Sequence, residues 1–111
     1  MKILVATGGA PHSEKALQFT AALAQDTKAS VTIVTVVRQP RHRAEGQSIL
    51  TRSLTILPPH IYNTQTKLRE GHPAEEIIRE AEQGQYSLVV VGEREQHGLV
   101  TRFILGSTAE R

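Results

Sequence analysis

The chain has 111 residues, of which 39% are hydrophobic and 22% are charged, and its formal net charge is only +2. This size and composition predict one soluble globular domain with a modest core, and the small charge gives no reason to expect nucleic-acid binding. The chain has no cysteine, which excludes disulfides, and no apolar stretch near the ~20 residues of a membrane span, so we expect a cytoplasmic protein without membrane insertion.

Strand and helix patterns alternate from the start of the chain. Residues 2–7 form a short apolar and β-branched run that predicts a strand, and two glycines follow it. Pro11 suits the first turn of a helix, and apolar side chains recur at helical spacing from there to about residue 25. Residues 30–37 are almost all β-branched, which predicts a central parallel strand that is buried on both faces.

The middle of the chain is polar and less regular. Residues 38–46 are broken by a proline and a glycine and predict a loop, after which a weak helical pattern over residues 47–57 stops at Pro58. Three arginines and one histidine in this loop are either a solvated patch or a source of positive charge for a phosphate: Arg38, Arg41, His42 and Arg43. Residues 61–68 alternate loosely with polar side chains, which favours an edge strand.

A second amphipathic helix is predicted from Pro73 to about residue 83. Three apolar side chains would face the sheet, namely Ile77, Ile78 and Ala81. Glu75 would pair with Arg79 on the outer side of this helix, and Gly84 would end it. Residues 86–91 then predict a second strand that is apolar on both faces.

The order of these elements predicts an α/β fold with an open, mostly parallel sheet and helices on both faces. In such a sheet, ligands bind at the carboxyl ends of the strands where the winding direction reverses. Glycine-bearing turns follow the first and the fourth strands, at residues 7–10 and between Gly92 and Ser107. If those strands are neighbours, both turns face one crevice, and the helix starts near Ala10 and Gly106 favour an anion or a nucleotide there.

Several segments resemble the universal stress protein family, which has a nucleotide-binding-like α/β fold. Residues 3–7, Gly9 and residues 13–17 resemble its opening strand and helix, and residues 70–74 resemble its third turn. Residues 89–92 and 105–110 resemble its signature loop. The resemblance covers essentially the whole chain as a single domain, residues 1–111, and implies the strand order 3-2-1-4-5. It also implies a regulatory role in the stress response and a pocket for an adenine nucleotide, ATP or AMP.

Three departures from the family's pattern fall in this pocket and imply that it is degenerate. Gly8 stands where nucleotide-binding members have an acidic residue, Ala10 where a serine is common, and Glu95 where their loop has its second glycine. A Cβ and a negative charge therefore lie where phosphates would approach. We predict that Val37 packs against the base and that Ser107 and Thr108 donate to an anion. The residues predicted to line the pocket are Thr7, Gly8, Gly9, Val37, Gly92, Gly98, Gly106, Ser107 and Thr108.

The resemblance also bears on assembly. The family's fifth strand has no counterpart before Arg111, so we expect a C-terminally incomplete domain whose fourth strand has an open edge. A homodimer or another partner chain would cover that edge.

Two other classes of function compete with a nucleotide-binding regulator. One is an interaction or scaffold domain with an empty pocket, for example as an accessory domain of a transporter or a kinase. The other is an enzyme, which the residues do not favour, because the adjacent His12 and Ser13 diverge on a helix and cannot act as base and nucleophile. The histidines are scattered without ligand spacing, so no metal site is predicted.

Overall fold

In this computed structural model, residues 1–95 and 98–105 are described, and for His12 and residues 93–105 the description is limited to the backbone. The strands are β1 (Lys2–Ala6), β2 (Ser30–Val37), β3 (Asn63–Glu70), β4 (Leu88–Glu95) and β5 (Gly98–Leu105). The helices are α1 (Pro11–Thr27), α2 (Arg43–Ser53) and α3 (Pro73–Gly84), and a 3-10 turn, Pro40–His42, precedes α2. None of the helices in these residues is long and apolar enough to cross a membrane.

The described strands form one sheet in the order β3-β2-β1-β4-β5. Strand β1 pairs in parallel with β2 and with β4, and β2 pairs in parallel with β3. The predicted α/β fold, the parallel order 3-2-1-4 and the edge position of β3 are therefore confirmed. The carboxyl ends of β1, β2 and β4 lie at the same edge of the sheet, where the winding direction reverses between β1 and β4.

Helices cover both faces of the sheet, and each face has its own core. On one face, Val5 and Ile33 pack in one apolar cluster with Leu17 of α1 and Leu50 of α2. On the other face, a second cluster of buried residues from β1, β2 and β4 packs against Ile77 and Ala81 of α3: Leu4, Val34 and Val89. Side chains of β1 and β2 enter both clusters, as expected of central strands whose neighbouring side chains point to opposite faces.

The edge of β4 is covered by β5, which corrects two expectations. Strand β5 pairs antiparallel with β4, in a register that sets Leu88 opposite Leu105 and Glu95 opposite Gly98. The predicted open edge on the fourth strand is therefore wrong for the described chain, and so is the prediction of a loop across residues 98–105. The β-branched and aromatic residues of this segment favour a strand, whereas the sequence analysis placed a loop between Gly92 and the helix start near Gly106.

Helix α2 begins earlier than predicted, at Arg43, and ends at Ser53. Gly46, placed in a loop by the sequence analysis, lies inside it because the helix packs close to the sheet. A Cβ at Gly46 would lie 2.6 Å from Leu68 Cδ1 and 2.9 Å from Val37 Cγ1. A glycine in a helix interior costs about 1 kcal/mol relative to alanine, and this close packing offsets that cost.

Helix α3 is present as predicted but differs in its details. Ile77 packs against the sheet, whereas Ile78 is 55% exposed, so the inward placement of Ile78 was wrong. Arg79 forms its ion pair with Glu76 rather than with Glu75. The helix ends at Gly84, and the left-handed cap residue that follows it is Gln85, with a φ of 56°.

Candidate functional site

The turn between β1 and α1 is fixed to the neighbouring strand. The N–H of Thr7 donates to the Val34 carbonyl at 2.9 Å, and the hydroxyl of Thr35 donates to the Thr7 carbonyl at 2.5 Å. Gly9 then adopts a φ of +84°, which glycine reaches without steric cost, and α1 begins at Pro11. The turn is therefore held at the carboxyl edge of β1, next to β2.

The backbone donors of this turn are used within the turn itself. The N–H of Gly8 donates to the Ser13 hydroxyl at 3.2 Å, and the N–H of Gly9 donates to the Thr7 hydroxyl at 3.3 Å. An anion that bound these two groups would have to displace both hydroxyls. Both hydrogen bonds are long, so this exchange is feasible, but the turn does not present these two N–H groups free.

A cleft of about 250 Å³ opens at the carboxyl ends of β1 and β2 and is called here the strand-edge cleft. A Cβ at Gly8 would meet no atom within 4 Å, so the position of the family's acidic residue is open space. Val37 is 7% exposed and gives this cleft an apolar surface. The lining residues are Gly8, Thr35, Val36, Val37, Arg38, His42, Glu45 and Ile49.

A second cleft, of about 300 Å³, lies between α1 and α2 and is called here the α1–α2 cleft. Gly9 lies at its inner end, and the Nη2 atom of Arg52 is 3.5 Å from the position of a Cβ built on Gly9. Ile49 lines both clefts, so the two are adjacent. The lining residues are Thr7, Gly9, Ala10, Glu14, Leu17, Gln18, Ile49, Arg52, Ser53, Thr55 and Ile56.

The predicted site residues fall into three groups. Thr7, Gly8, Gly9 and Val37 line one or other of these two clefts. Strands β1 and β4 are neighbours as predicted, but the described residues that line the two clefts come from β2, α1, α2 and the turns beside them, and none comes from residues 88–92, the part of β4 whose side chains are described. Two of the remaining glycines lie in strands instead of a loop, Gly92 in β4 and Gly98 in β5. The last three, Gly106, Ser107 and Thr108, lie outside the described residues.

The structure adds site residues that the sequence analysis missed. Three residues of α2 line the clefts, namely Glu45, Ile49 and Arg52. Because a loop was predicted before residue 47, the sequence analysis did not place them on a common helix face. Their spacing of four and three residues is the signal that a correct helix start would have given. Arg38 and His42 also line the strand-edge cleft, which favours the interpretation of that basic stretch as part of a site.

A separate group of charges between β3 and α3 is called here the α3–β3 ion network. The Glu80 carboxylate, only 1% exposed, accepts hydrogen bonds from Arg69 at 2.7 Å, Tyr86 at 2.8 Å and Lys67 at 2.9 Å. Glu76 accepts one from Arg69 Nε at 2.9 Å. Besides these residues, the network includes Arg79, which pairs with Glu76.

The pKa values in this network follow from burial and hydrogen bonding together. Burial alone would raise the pKa of Glu80, but the hydrogen bonds from Lys67, Tyr86 and Arg69 outweigh it and the pKa is lowered. The hydrogen bond from Arg69 lowers the pKa of Glu76 against the effect of burial. Burial raises the pKa of Tyr86 to about 12, with a further contribution from the Glu80 carboxylate. Every charge here has a partner, which is typical of a structural ion cluster.

Among the described residues, no group of three or more histidine, aspartate and glutamate side chains is arranged to hold a metal ion. The two clefts therefore carry the candidate site, and they offer cations, carboxylates and apolar surface.

Comparisons with known proteins agree with this fold. The universal stress protein family model matches residues 1–111. The universal stress protein YxiE of Bacillus subtilis is 29% identical over 133 aligned positions, which cover 99% of this chain and 89% of that protein. A solved structure from Burkholderia pseudomallei, of the same family, is 27% identical with a TM-score of 0.74, covering 83% of this chain and 80% of that chain. A universal stress protein solved in complex with cAMP is 19% identical with a TM-score of 0.72, covering 80% of this chain and 69% of that chain.

Proposed function

The chain belongs to the universal stress protein family, and from that premise we propose that it is a stress-response regulator that binds an adenine nucleotide and does not turn it over. The observation that carries this proposal is the strand-edge cleft. It lies at the carboxyl ends of parallel strands next to the point where the winding direction reverses, which is where open α/β sheets bind ligands. A family member with a TM-score of 0.72 to this chain was solved in complex with cAMP, which supports an adenine ligand.

The size and lining of the strand-edge cleft suit the base end of a nucleotide. Val37 and Ile49 give it apolar surface for an aromatic base, and the open space at Gly8 admits a ring edge or a ribose hydroxyl. Its volume of about 250 Å³ is below the roughly 300–1,000 Å³ of pockets that enclose a whole small-molecule ligand. The phosphates would therefore extend out of the cleft.

Features of the same cleft support the proposal that the site is degenerate. Gly8 offers no carboxylate to the ligand, and the N–H groups of Gly8 and Gly9 are already bonded to hydroxyls of the turn. Arg38 and His42 line the cleft and would supply donors to a phosphate in their place. The role of Gly106, Ser107 and Thr108 as further phosphate donors stays a prediction. Weak binding, in the range from micromolar to millimolar, is the expected result.

Binding without catalysis is supported by the polar groups of the strand-edge cleft. His42 and Glu45 both line it, yet in residues 1–95 no hydrogen bond joins their side chains. A histidine oriented by a carboxylate is the usual arrangement of a general base. We expect no hydrolysis of ATP above the background rate, and a phosphate-release assay on the purified chain checks this.

Two substitutions at one position test the nucleotide site. Because a Cβ at Gly8 meets open space, Gly8→Leu would fill the strand-edge cleft without disturbing the core, and Gly8→Ala is the matched control. Calorimetric titration with AMP, ATP and cAMP should show binding to the wild type and to Gly8→Ala, and a loss of about tenfold or more in affinity in Gly8→Leu. Equal affinity in all three proteins would refute the strand-edge cleft as the site.

An interaction or scaffold domain is the second candidate. The turn N–H groups that are already bonded to Ser13 and Thr7 favour it, because they suit a turn that binds nothing. A complete lack of nucleotide binding, not restored by Gly8→Asp, would select this alternative.

A homodimer and a cytoplasmic location belong to the main proposal and rest on the family alone. Native mass spectrometry of the chain tests whether it forms a homodimer.

A further inference from the structure

The α1–α2 cleft has an apolar floor. Leu17 of α1 is 2% exposed at its base, and Ile49 and Ile56 contribute half-buried side chains from the opposite side. These groups come from elements that the core already fixes, because Leu17 and Ile56 both contact the apolar cluster under the sheet. The floor is therefore preformed, as is usual for small-molecule sites.

The walls of this cleft carry opposite charges that are not used by the fold. Glu14 lines it from α1 and Arg52 from α2. Among the side chains that the structure describes, those of residues 1–92 other than His12, none forms a hydrogen bond or an ion pair with the side chain of Glu14 or Arg52, and none binds the amide of Gln18. Glu76 and Glu80, by contrast, each bind two or more donors. A guanidinium is suited to a bidentate contact with a carboxylate, and a carboxylate to an ammonium group.

From this arrangement we infer that the α1–α2 cleft is a second ligand site, which takes a small zwitterion with an apolar body, in chemical class an apolar amino acid. The ligand carboxylate binds Arg52, its ammonium group binds Glu14, and its side chain lies on Leu17 and Ile56. The hydroxyls of Thr7 and Thr55 lie at the same cleft and offer further contacts.

The charges on the walls of the α1–α2 cleft favour an amino acid over a nucleotide. Its volume of about 300 Å³ is at the lower end of the roughly 300–1,000 Å³ found for ligand pockets. A phosphate bound to Arg52 would share the cleft with the like charge of the Glu14 carboxylate, whereas a zwitterion offers an opposite charge to each of the two residues. This inference goes beyond the proposed nucleotide site, which occupies the other cleft.

Ile49 lines both clefts, so a shift of its methyl signals does not tell which cleft is occupied. The test therefore needs reporters that belong to one cleft only. Leu17 and Ile56 line only the α1–α2 cleft, and Val36 and Val37 line only the strand-edge cleft. Ile78, 55% exposed on α3, reports on non-specific contact.

The experiment is a titration of the methyl-labelled chain, followed by NMR, with L-leucine as the probe. We expect saturable shifts at Leu17 and Ile56 without shifts at Ile78. The analogue 4-methylpentanoate lacks the ammonium group and 3-methylbutylamine lacks the carboxylate, so each should bind about tenfold more weakly. No saturable shift, or binding of either analogue as tight as that of L-leucine, would overturn the inference.

Two variants assign the charged contacts. Arg52→Gln and Glu14→Gln should each weaken L-leucine binding about tenfold, whereas Arg41→Gln and Glu75→Gln, exposed positions outside the cleft, should leave it unchanged. L-Leucine binding that survives both cleft substitutions would contradict the assignment. The double variant gives a second check, through the change in its unfolding equilibrium constant relative to the wild type. If this change differs from the product of the changes in the two single variants, Glu14 and Arg52 pair with each other, and the assignment is contradicted.

The outcome is separable from that of the nucleotide proposal. An adenine nucleotide should shift Val36 and Val37, and Gly8→Leu should abolish that effect while leaving L-leucine binding intact. If the nucleotide fails to bind, the shifts of Leu17 and Ile56 on addition of L-leucine still test the α1–α2 cleft by themselves.

Discussion

Two polar regions of this domain differ in whether their charged side chains are paired. In the α3–β3 ion network, the Glu80 carboxylate is almost fully buried and accepts three hydrogen bonds. At the clefts beside the Gly8–Gly9 turn, Glu14 and Arg52 line a cavity and make no ion pair with any side chain that the structure describes. Charges of the first kind hold an edge strand to a helix, and charges of the second kind are available to a ligand.

This difference between paired and unpaired charges indicates where a small α/β domain binds ligands. A buried charge is costly unless it is paired, so the pairing of charges in the α3–β3 ion network indicates a structural role. Exposed charges are usually solvated and unremarkable, but those around the clefts coincide with preformed cavities at the carboxyl edge of the sheet. It is the combination of cavity and unused charge that points to binding.

The largest expected effect comes from breaking the α3–β3 ion network at its centre. Glu80→Ala leaves Arg69, Lys67 and Tyr86 without their common acceptor, and removing one partner of a buried ion pair costs about 3 kcal/mol or more. Urea unfolding should show a loss of this order. Glu75→Ala, at an exposed position on the same helix, is the control and should change stability by less than about 0.5 kcal/mol. A loss in the Glu80 variant no larger than in the control would contradict the structural role.

Acid should weaken the same network. The folded-state pKa of Glu80 lies below its usual 4.5, so the unfolded state binds protons first as the pH falls. The stabilisation is therefore fully present above about pH 4.5 and is lost as the pH falls through the lower folded-state value. Thermal unfolding between neutral pH and pH 3 should show a steeper fall for the wild type than for Glu80→Ala. Parallel curves would contradict this account.

A smaller loss is expected from Tyr86→Phe. This change removes one hydrogen bond to the Glu80 carboxylate, made at 2.8 Å in the wild type, and hydrogen bonds to charged groups contribute about 1.5 kcal/mol or somewhat more. The aromatic ring stays packed in the core, so the change isolates the hydroxyl. Chemical unfolding measures it, and a variant as stable as the wild type would show that the hydroxyl contributes nothing there.

The smallest effects should come from the clefts. Arg52→Gln and Glu14→Gln remove charges that no residue of the described chain uses, so each should change stability by less than about 0.5 kcal/mol. Unfolding of both variants beside Glu80→Ala gives the sharpest form of the comparison. A loss of more than about 1 kcal/mol in either cleft variant would mean that its charge supports the fold.

The sequence was sufficient for the elements with strong local patterns. The bounds of β2 were predicted as Ser30–Val37 and are confirmed, because a run of β-branched residues strongly favours a strand. The α3–β3 ion network was not predicted. Lys67 and Arg69 share one face of β3, and Glu76 and Glu80 share one face of α3, but only the packing of α3 over β3 brings the two sets together.

The clefts could be predicted only in part. The β1–α1 turn was identified as a site from its glycines, but the contribution of α2 was hidden by Gly46, which has no local reason to be helical. Its reason is tertiary, since a Cβ there would clash with Leu68. The antiparallel pairing of β5 was missed for a related reason, because the sequence analysis placed that segment in a loop.

The most direct test of the account is a titration of AMP into the methyl-labelled chain, with the reporters placed on both sides of the sheet. The account predicts saturable shifts at Val36, Val37 and Ile49, which line the strand-edge cleft, and unchanged signals at Ile77 and Ile78 of α3. Shifts confined to α3, or no saturable shift at any of these methyl groups, would contradict the claim that the ligand binds at the carboxyl edge of β1 and β2.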